Sequence, residues 1–262
     1  MSDVRFTHIG GPTVLIEFDG WRLLTDPTFD APGRTYAFGW GTSSRKLTGP
    51  ALSAADVGPV DAVLLTHDHH GDNLDDAGRL FLSTTATITT SSGARRLGGT
   101  TRGLASGQTT RLQAPGRPAI EITATPCRHG PPLSRPITGQ VIGFALTWTG
   151  QAHGPLWITG DTVYHRALRR AAARIRPGTV LLHLGGVGFP LTGPLRYTMT
   201  ARQAVRLCET IAPHTILPVH YEGWQHFRQG RDGIERDLRR APEHVSGRFH
   251  WLATGSPEQV QL

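Results

Sequence analysis

The chain has 262 residues, 38% of them hydrophobic and 18% charged, which is the make-up of a folded globular protein and excludes a disordered or collagen-like chain. The net charge of +7 invites an anionic partner, but every basic residue except Lys46 is an arginine, and the densest clusters are only pairs such as Arg95-Arg96 and Arg239-Arg240, so no nucleic-acid stripe is expected. Two cysteines, Cys127 and Cys208, exclude a disulfide framework.

In chain order, Met1 to Phe6 has neither the charged nor the apolar region of a signal peptide, and no apolar run reaches membrane length; a cytoplasmic protein without a membrane span is expected. Residues 13–18 and 21–25 read as strands joined by a tight Asp19-Gly20 turn. Residues 28–58, rich in Gly, Pro, Ser and Thr, read as a long loop with little regular structure that walls a site. Further strands are predicted over 60–66, 86–90, 118–125, 141–148, 155–159, 179–184 and 215–219. Helices are predicted from about Leu74 and over 163–174, 200–211 and 233–240; Thr200 with Gln203 is a capping-box pattern. No linker divides the chain, so residues 1–262 are taken as one domain.

The chemistry concentrates in Thr66-His67-Asp68-His69-His70-Gly71-Asp72-Asn73-Leu74-Asp75, directly after an apolar strand. Three imidazoles and several carboxylates in so short a span are costly to bury without partners, and a divalent cation would satisfy them. His67 and His69 can share an ion if the chain turns after the strand, for which Gly71 offers backbone freedom; the competing reading is a solvated loop or an aspartate-dressed helix start. His129, Asp161 and His220 each follow a predicted strand, where sheet-based folds gather their sites. Taken singly, each would be an ordinary surface or turn residue.

The order of these motifs resembles the metallo-β-lactamase superfamily: a double-histidine loop after a strand, a single histidine, Gly160-Asp161, then a late histidine. His8-Ile9-Gly10-Gly11-Pro12-Thr13-Val14-Leu15-Ile16, Leu24-Thr25-Asp26-Pro27 and Pro218-Val219-His220-Tyr221-Glu222-Gly223-Trp224 look like the branch holding ascorbate-phosphate lactonases and N-acyl phosphatidylethanolamine phospholipase D. The resemblance spans residues 6 to about 226. It implies an α/β fold, a four-layer αβ/βα sandwich with the metals at one edge. It also implies that His67, His69 and His129 hold a first ion, that Asp161 bridges, and that Asp72 and His220 hold a second. The family's usual run is His-x-His-x-Asp-His; here one residue is added and Asn73 stands in the last histidine's place. Asn73 is a weak oxygen ligand suited to harder ions, which makes the ions one or two in number and zinc or manganese in kind. His70, swung inward by the added residue, is the alternative ligand.

The function this implies is a metal-dependent hydrolase that uses a metal-bound hydroxide on a small ester, lactone or phosphodiester, with Asp72 orienting the nucleophile and carrying a proton. A small molecule is the expected partner, and the positive charge admits an anionic one. Asp26 is a candidate second carboxylate behind a ligand histidine or else a turn residue before Pro27; His183 lines the pocket or is a satisfied core histidine. Tyr221, Glu222 and His226 are candidates to shape the substrate pocket, Trp224 reads as packing, and Cys127 as a small buried apolar side chain. Two other readings remain open: a nuclease, from the positive charge, and a non-catalytic metal- or ligand-binding protein, from Asn73.

Overall fold

The computed structural model describes residues 3–262. Two mixed sheets face each other. The first has seven strands, in spatial order Pro257–Gln261, Asp3–Gly10, Thr13–Phe18, Trp21–Thr25, Ala62–Leu64, Thr87–Thr90 and Thr101–Leu104. Its first four are antiparallel and its last pairs parallel. The second has six: Thr215–Val219, Thr179–His183, Leu156–Ile158, Ile142–Thr147, Ile120–Pro126 and Thr109–Leu112. Here the first three run parallel and the rest antiparallel.

Because side chains alternate across a strand, each sheet offers two apolar faces. Val14, Ile16 and Phe18 point between the sheets and meet Ile122, Phe144 and Leu146 from the other side. Leu15, Leu24, Val63 and Leu65 point outward, under Val57 and Leu74. Trp157, Val180 and Leu182 of the second sheet pack outward on Leu168, Ala204 and Leu207, which belong to helices Arg166–Ile175 and Ala201–Ile211. The result is helix, sheet, sheet, helix, the four-layer sandwich expected. The Asp19-Gly20 turn has both residues at positive φ, 44° and 81°, the geometry that matches the twist of a two-residue hairpin. Thr200 and Gln203 form the capping box.

The stretch 28–58 departs from the expectation of little regular structure. It contains a hairpin, Thr35–Gly39 with Thr42–Arg45, and a capped helical turn, Ala54–Val57. The hairpin is held by a buried hub. Asp75 accepts the amides of Phe29 (2.9 Å), Asp30 (2.7 Å) and Gly78 (2.9 Å), and its Oδ2 lies 2.8 Å from Lys46 Nζ. Lys46 is 3% exposed although it is the only lysine. The hub ties both roots of the hairpin to the chain that follows the histidine-rich loop. Gly71 serves this contact rather than backbone freedom: its φ is not positive, but a Cβ there would meet the Tyr36 ring at 2.5 Å.

Replacing Lys46 with Ala leaves the Asp75 charge buried without its ionic partner. We expect a loss of about 3 kcal/mol in urea unfolding; a change within about 0.5 kcal/mol, the scale of an ordinary surface substitution, would show that the pair does not hold the hairpin.

Candidate metal centre

The site lies where strand ends from both sheets meet. Asp26 follows Trp21–Thr25, the segment from His67 to Asp72 follows Ala62–Leu64, and His129 follows Ile120–Pro126. Asp161 follows Leu156–Ile158, His183 closes Thr179–His183, and His220 follows Thr215–Val219. Beyond Thr66 the chain turns tightly: the amides of Asn73 and Leu74 both bond to the His70 carbonyl. Before that turn the irregular segment 67–70 leaves His67 and His70 buried and His69 exposed.

Two groups of side chains result, the donor atoms of each lying within 4.8 Å of one another: His67, His70 and His129, and Asp72, Asp161 and His220. The three rings of the first group stand 5.1 to 5.3 Å apart, centroid to centroid. The groups adjoin, with His129 Nε2 3.9 Å from Asp161 Oδ2. In the second, His220 lies 3.4 Å from Asp72 Oδ2 and 3.5 Å from Asp161 Oδ1. His220 holds a φ of 57°, a conformation that costs a non-glycine residue free energy and that functional sites often retain.

A further ring of contacts aims these donors. His129 Nδ1 lies 2.8 Å from the Tyr197 carbonyl, so Nδ1 carries the proton and Nε2 keeps its lone pair, 3.2 Å from His70 Nδ1. Asp26 Oδ1 accepts the Thr66 amide (2.7 Å) and hydroxyl (3.0 Å), and that hydroxyl lies 3.1 Å from His67 Nδ1. His67 Nε2 is thereby turned toward the cluster. Nε2 of His67 and His70, Oδ1 of Asp72 and both carboxylate oxygens of Asp161 are buried and make no hydrogen bond among the described residues. Orphaned buried polar atoms of this kind are rare in folded proteins. Neutral imidazole nitrogens and carboxylate oxygens are the donors that divalent transition ions take, so the residues fit such ions.

The electrostatics agree. Burial, reinforced by crowding of the rings, holds His67 well below the ordinary histidine pKa, His70 at about 4 and His129 at about 3. All three are neutral near pH 7, as ligands must be. Burial pushes Asp161 up to about 6. Asp72 is driven up by burial but held well below the carboxylate range by its contacts with His220 and His226. His220 loses solvation, yet Asp161 and Asp72 more than offset that and raise it to about 9.

His69, expected beside His67, lies outside both groups: it is exposed, with Nδ1 3.4 Å from Asp68 and 3.3 Å from Arg96. His70, expected as the alternative to Asn73 at the second ion, stands instead with His67 and His129. Asn73 is outside both groups; its Nδ2 reaches the Thr66 hydroxyl at 3.4 Å. Asp26 sits behind His67, through Thr66. His183, fully buried, pairs with Asp26 at 3.3 Å rather than lining a pocket. Tyr221, expected at the substrate pocket, packs on Trp251 in the helix-side core, and Glu222 lies 3.4 Å from the Gly11 amide. His226 is nearer the centre than expected, its Nε2 3.0 Å from Asp72 Oδ2. Its sequence neighbourhood carried no signal for that contact beyond proximity to His220. Trp224 packs against Tyr36 and Phe38.

A family model described as "Beta-lactamase superfamily domain" matches residues 21–221. The chain belongs to the beta-lactamase superfamily. Among its relatives, a UPF0173 metal-dependent hydrolase from Methanopyrus kandleri is 24% identical over 242 residues, covering 90% of this chain and 91% of the relative. Among solved structures, an isothiocyanate hydrolase from Delia radicum gut bacteria superposes with a TM-score of 0.81 at 21% identity, covering 98% of this chain and all of the other. A possible metal-dependent hydrolase from Veillonella parvula gives 0.80 at 19% identity, with 98% and 99% covered. As a member of this superfamily the chain has the metallo-β-lactamase fold, and its overall path is shared with both of these structures; no helix among its described residues is long and apolar enough to cross a membrane.

The pKa shifts set a pH profile for the metal-stripped protein. His220, raised from 6.5 to about 9, contributes stability that is whole below pH 6.5 and lost as pH rises through about 9. The lowered histidines lose ground as pH falls from 6.5, because the unfolded chain protonates first. Two raised carboxyls, Asp161 and Asp26 (about 7), oppose this on the acid side; His67, His70, His129 and His183 outnumber them. We expect the melting temperature to peak near neutrality and the decline from pH 7 to 9 to flatten in His220→Gln. An unchanged alkaline slope in that variant would refute the coupling.

Proposed function

We propose that this chain is a metal-dependent hydrolase whose substrate is a small, uncharged electrophile carrying an apolar group, such as an ester or lactone. One observation carries the reading: His70, Asp72 and His129 form the floor of a pocket whose walls include Phe38, Ile137, Val187, Phe189 and Tyr197, and no arginine or lysine lines it. Apolar walls with a few convergent polar groups are the usual make-up of a small-molecule site; the space open here is about 30 Å³, room for the reacting group alone, so an apolar substituent would lie outside it. Ions at the centre could offset the charge of a phosphodiester, but the walls offer no cationic side chain to hold the rest of an anionic substrate or a nucleic-acid backbone, which favours a neutral substrate over the anionic and nuclease readings. The non-catalytic reading rested on Asn73; the second donor group is completed by Asp161 and His220 without it. The metal-dependent hydrolases among the relatives and the isothiocyanate hydrolase of the same fold are in keeping with small-molecule hydrolysis.

His67, His70 and His129 would hold one ion, for which three imidazoles favour zinc, and Asp72, Asp161 and His220 a second. Ions there would supply Lewis acidity, lowering the pKa of a water and polarising the bond to be cleaved. The remaining work falls to the chain's own residues. Asp72 borders the pocket; one of its oxygens would hold the ion, and the other is placed to take the proton from water and return it to the leaving group. Phe38 and Phe189 both pack against His226 and keep bulk water from that carboxylate. Trp40, at the hairpin tip, lines the same pocket yet is 75% exposed, a surface left for the substrate's apolar substituent.

Two experiments test this. Metal content measured after reconstitution should fall by about one ion per chain in His70→Ala and stay unchanged in His69→Ala; the reverse pattern would overturn the ligand assignment. With a series of p-nitrophenyl esters, Trp40→Ala should raise KM for the longer acyl chains by about tenfold, the worth of roughly two buried methylenes, and leave kcat in place. Faster turnover of an anionic phosphodiester than of any neutral ester would defeat the substrate assignment.

A further inference from the structure

A second concavity, of about 820 Å³, lies between helices Ala201–Ile211 and Arg231–Leu238, and none of its lining residues belongs to the two donor groups. Six of its thirteen lining residues are arginines: Arg196, Arg202, Arg228, Arg231, Arg236 and Arg240. Arginine is 26 of 262 residues in the whole chain, so an even spread would place one or two here. Against them stand Asp232 and Asp237, leaving six minus two, a local charge of +4.

The guanidinium groups are only partly used. Arg202 bonds Asp237 at 3.0 Å through Nε, Arg231 bonds Glu235 at 2.8 Å through Nε, and Arg228 bonds the Gly188 carbonyl at 2.9 Å through Nε. In each of these three the terminal nitrogens stay unbonded among the described residues. Arg196 spends one terminal nitrogen on local carbonyls. Arg236 and Arg240 make no ion pair and no side-chain hydrogen bond among the described residues. Guanidinium forks match pairs of phosphate oxygens, and several converging on one groove suit a ligand with more than one phosphate. No aromatic side chain lines the groove. Single-stranded nucleic acids are held by base stacking as well as charge, and lipid tails need apolar walls; neither is offered here.

We propose that this groove binds a small polyphosphate anion, recognised through its phosphates alone, at a site separate from the metal centre. The proposal does not rest on the hydrolase reading. The test is calorimetric titration with tripolyphosphate, on metal-stripped and on metal-loaded protein at one fixed salt concentration. The expected result is binding of one anion per chain in both forms. Arg236→Ala with Arg240→Ala should weaken it about tenfold or more, the worth of a lost charge-assisted hydrogen bond, with melting temperature and metal content unchanged. Sulfate at equal concentration should compete poorly. The proposal is overturned if binding is absent at low salt, survives the double substitution, or vanishes with the metal, which would place the anion in the other pocket. It is equally overturned if an oligonucleotide of the same phosphate content binds more tightly.

Discussion

Nine ionisable side chains, Asp26, His67, His70, Asp72, His129, Asp161, His183, His220 and His226, are buried at one rim of the sandwich, none more than 6% exposed. Taking such groups out of water costs several kcal/mol apiece unless partners offset it. The protein offsets part of that cost internally: Thr66 and His183 on Asp26, the Tyr197 carbonyl on His129, His226 on Asp72. What stays unpaired is concentrated in the inward-facing atoms of two groups of three. Positive charge placed between them would convert the desolvated carboxylates and lone pairs from a penalty into a binding site. That is why hydrolytic function and the packing of this rim are a single question.

The hairpin 35–45 belongs to the same arrangement. It has little core of its own, and its position derives from the Asp75 hub, from the Tyr36 ring against Gly71, and from Phe38 resting on the rings of His70 and His226. The element that covers the pocket is therefore fastened to the loop that supplies the donors. A disturbance of either is felt by the other, and the apolar ceiling that keeps water from Asp72 is set by the same contacts that stabilise the loop.

Much of the fold could be read in the residues. Most inner strands announced themselves by dense apolar runs and by turn chemistry at Asp19-Gly20, and the helix after Thr200 by its cap; the inner strand Asp3–Gly10, with its polar and exposed residues at one end, went unread. Strands Thr101–Leu104, Thr109–Leu112 and Pro257–Gln261 did not, being short, polar and at or next to a sheet edge, where pairing rather than burial defines them. The hairpin's alternation of Tyr36 and Phe38 with exposed residues was hidden among glycines. At the candidate site, the strand-end positions of His129, Asp161 and His220 were legible because loops after strands converge. His69 against His70 was not, since one added residue changes which side chains share a face, and only the backbone path decides it. His226 was misjudged in degree for the same reason: its reach to Asp72 depends on how the chain folds back after His220.

The most direct measurement is anomalous diffraction from crystals of the reconstituted protein, collected on either side of the zinc and manganese absorption edges. Two peaks are expected, one within bonding distance of His67, His70 and His129 and the other of Asp72, Asp161 and His220. A peak ligated by His69, or a well-ordered rim that binds no ion at saturating metal, would contradict the account.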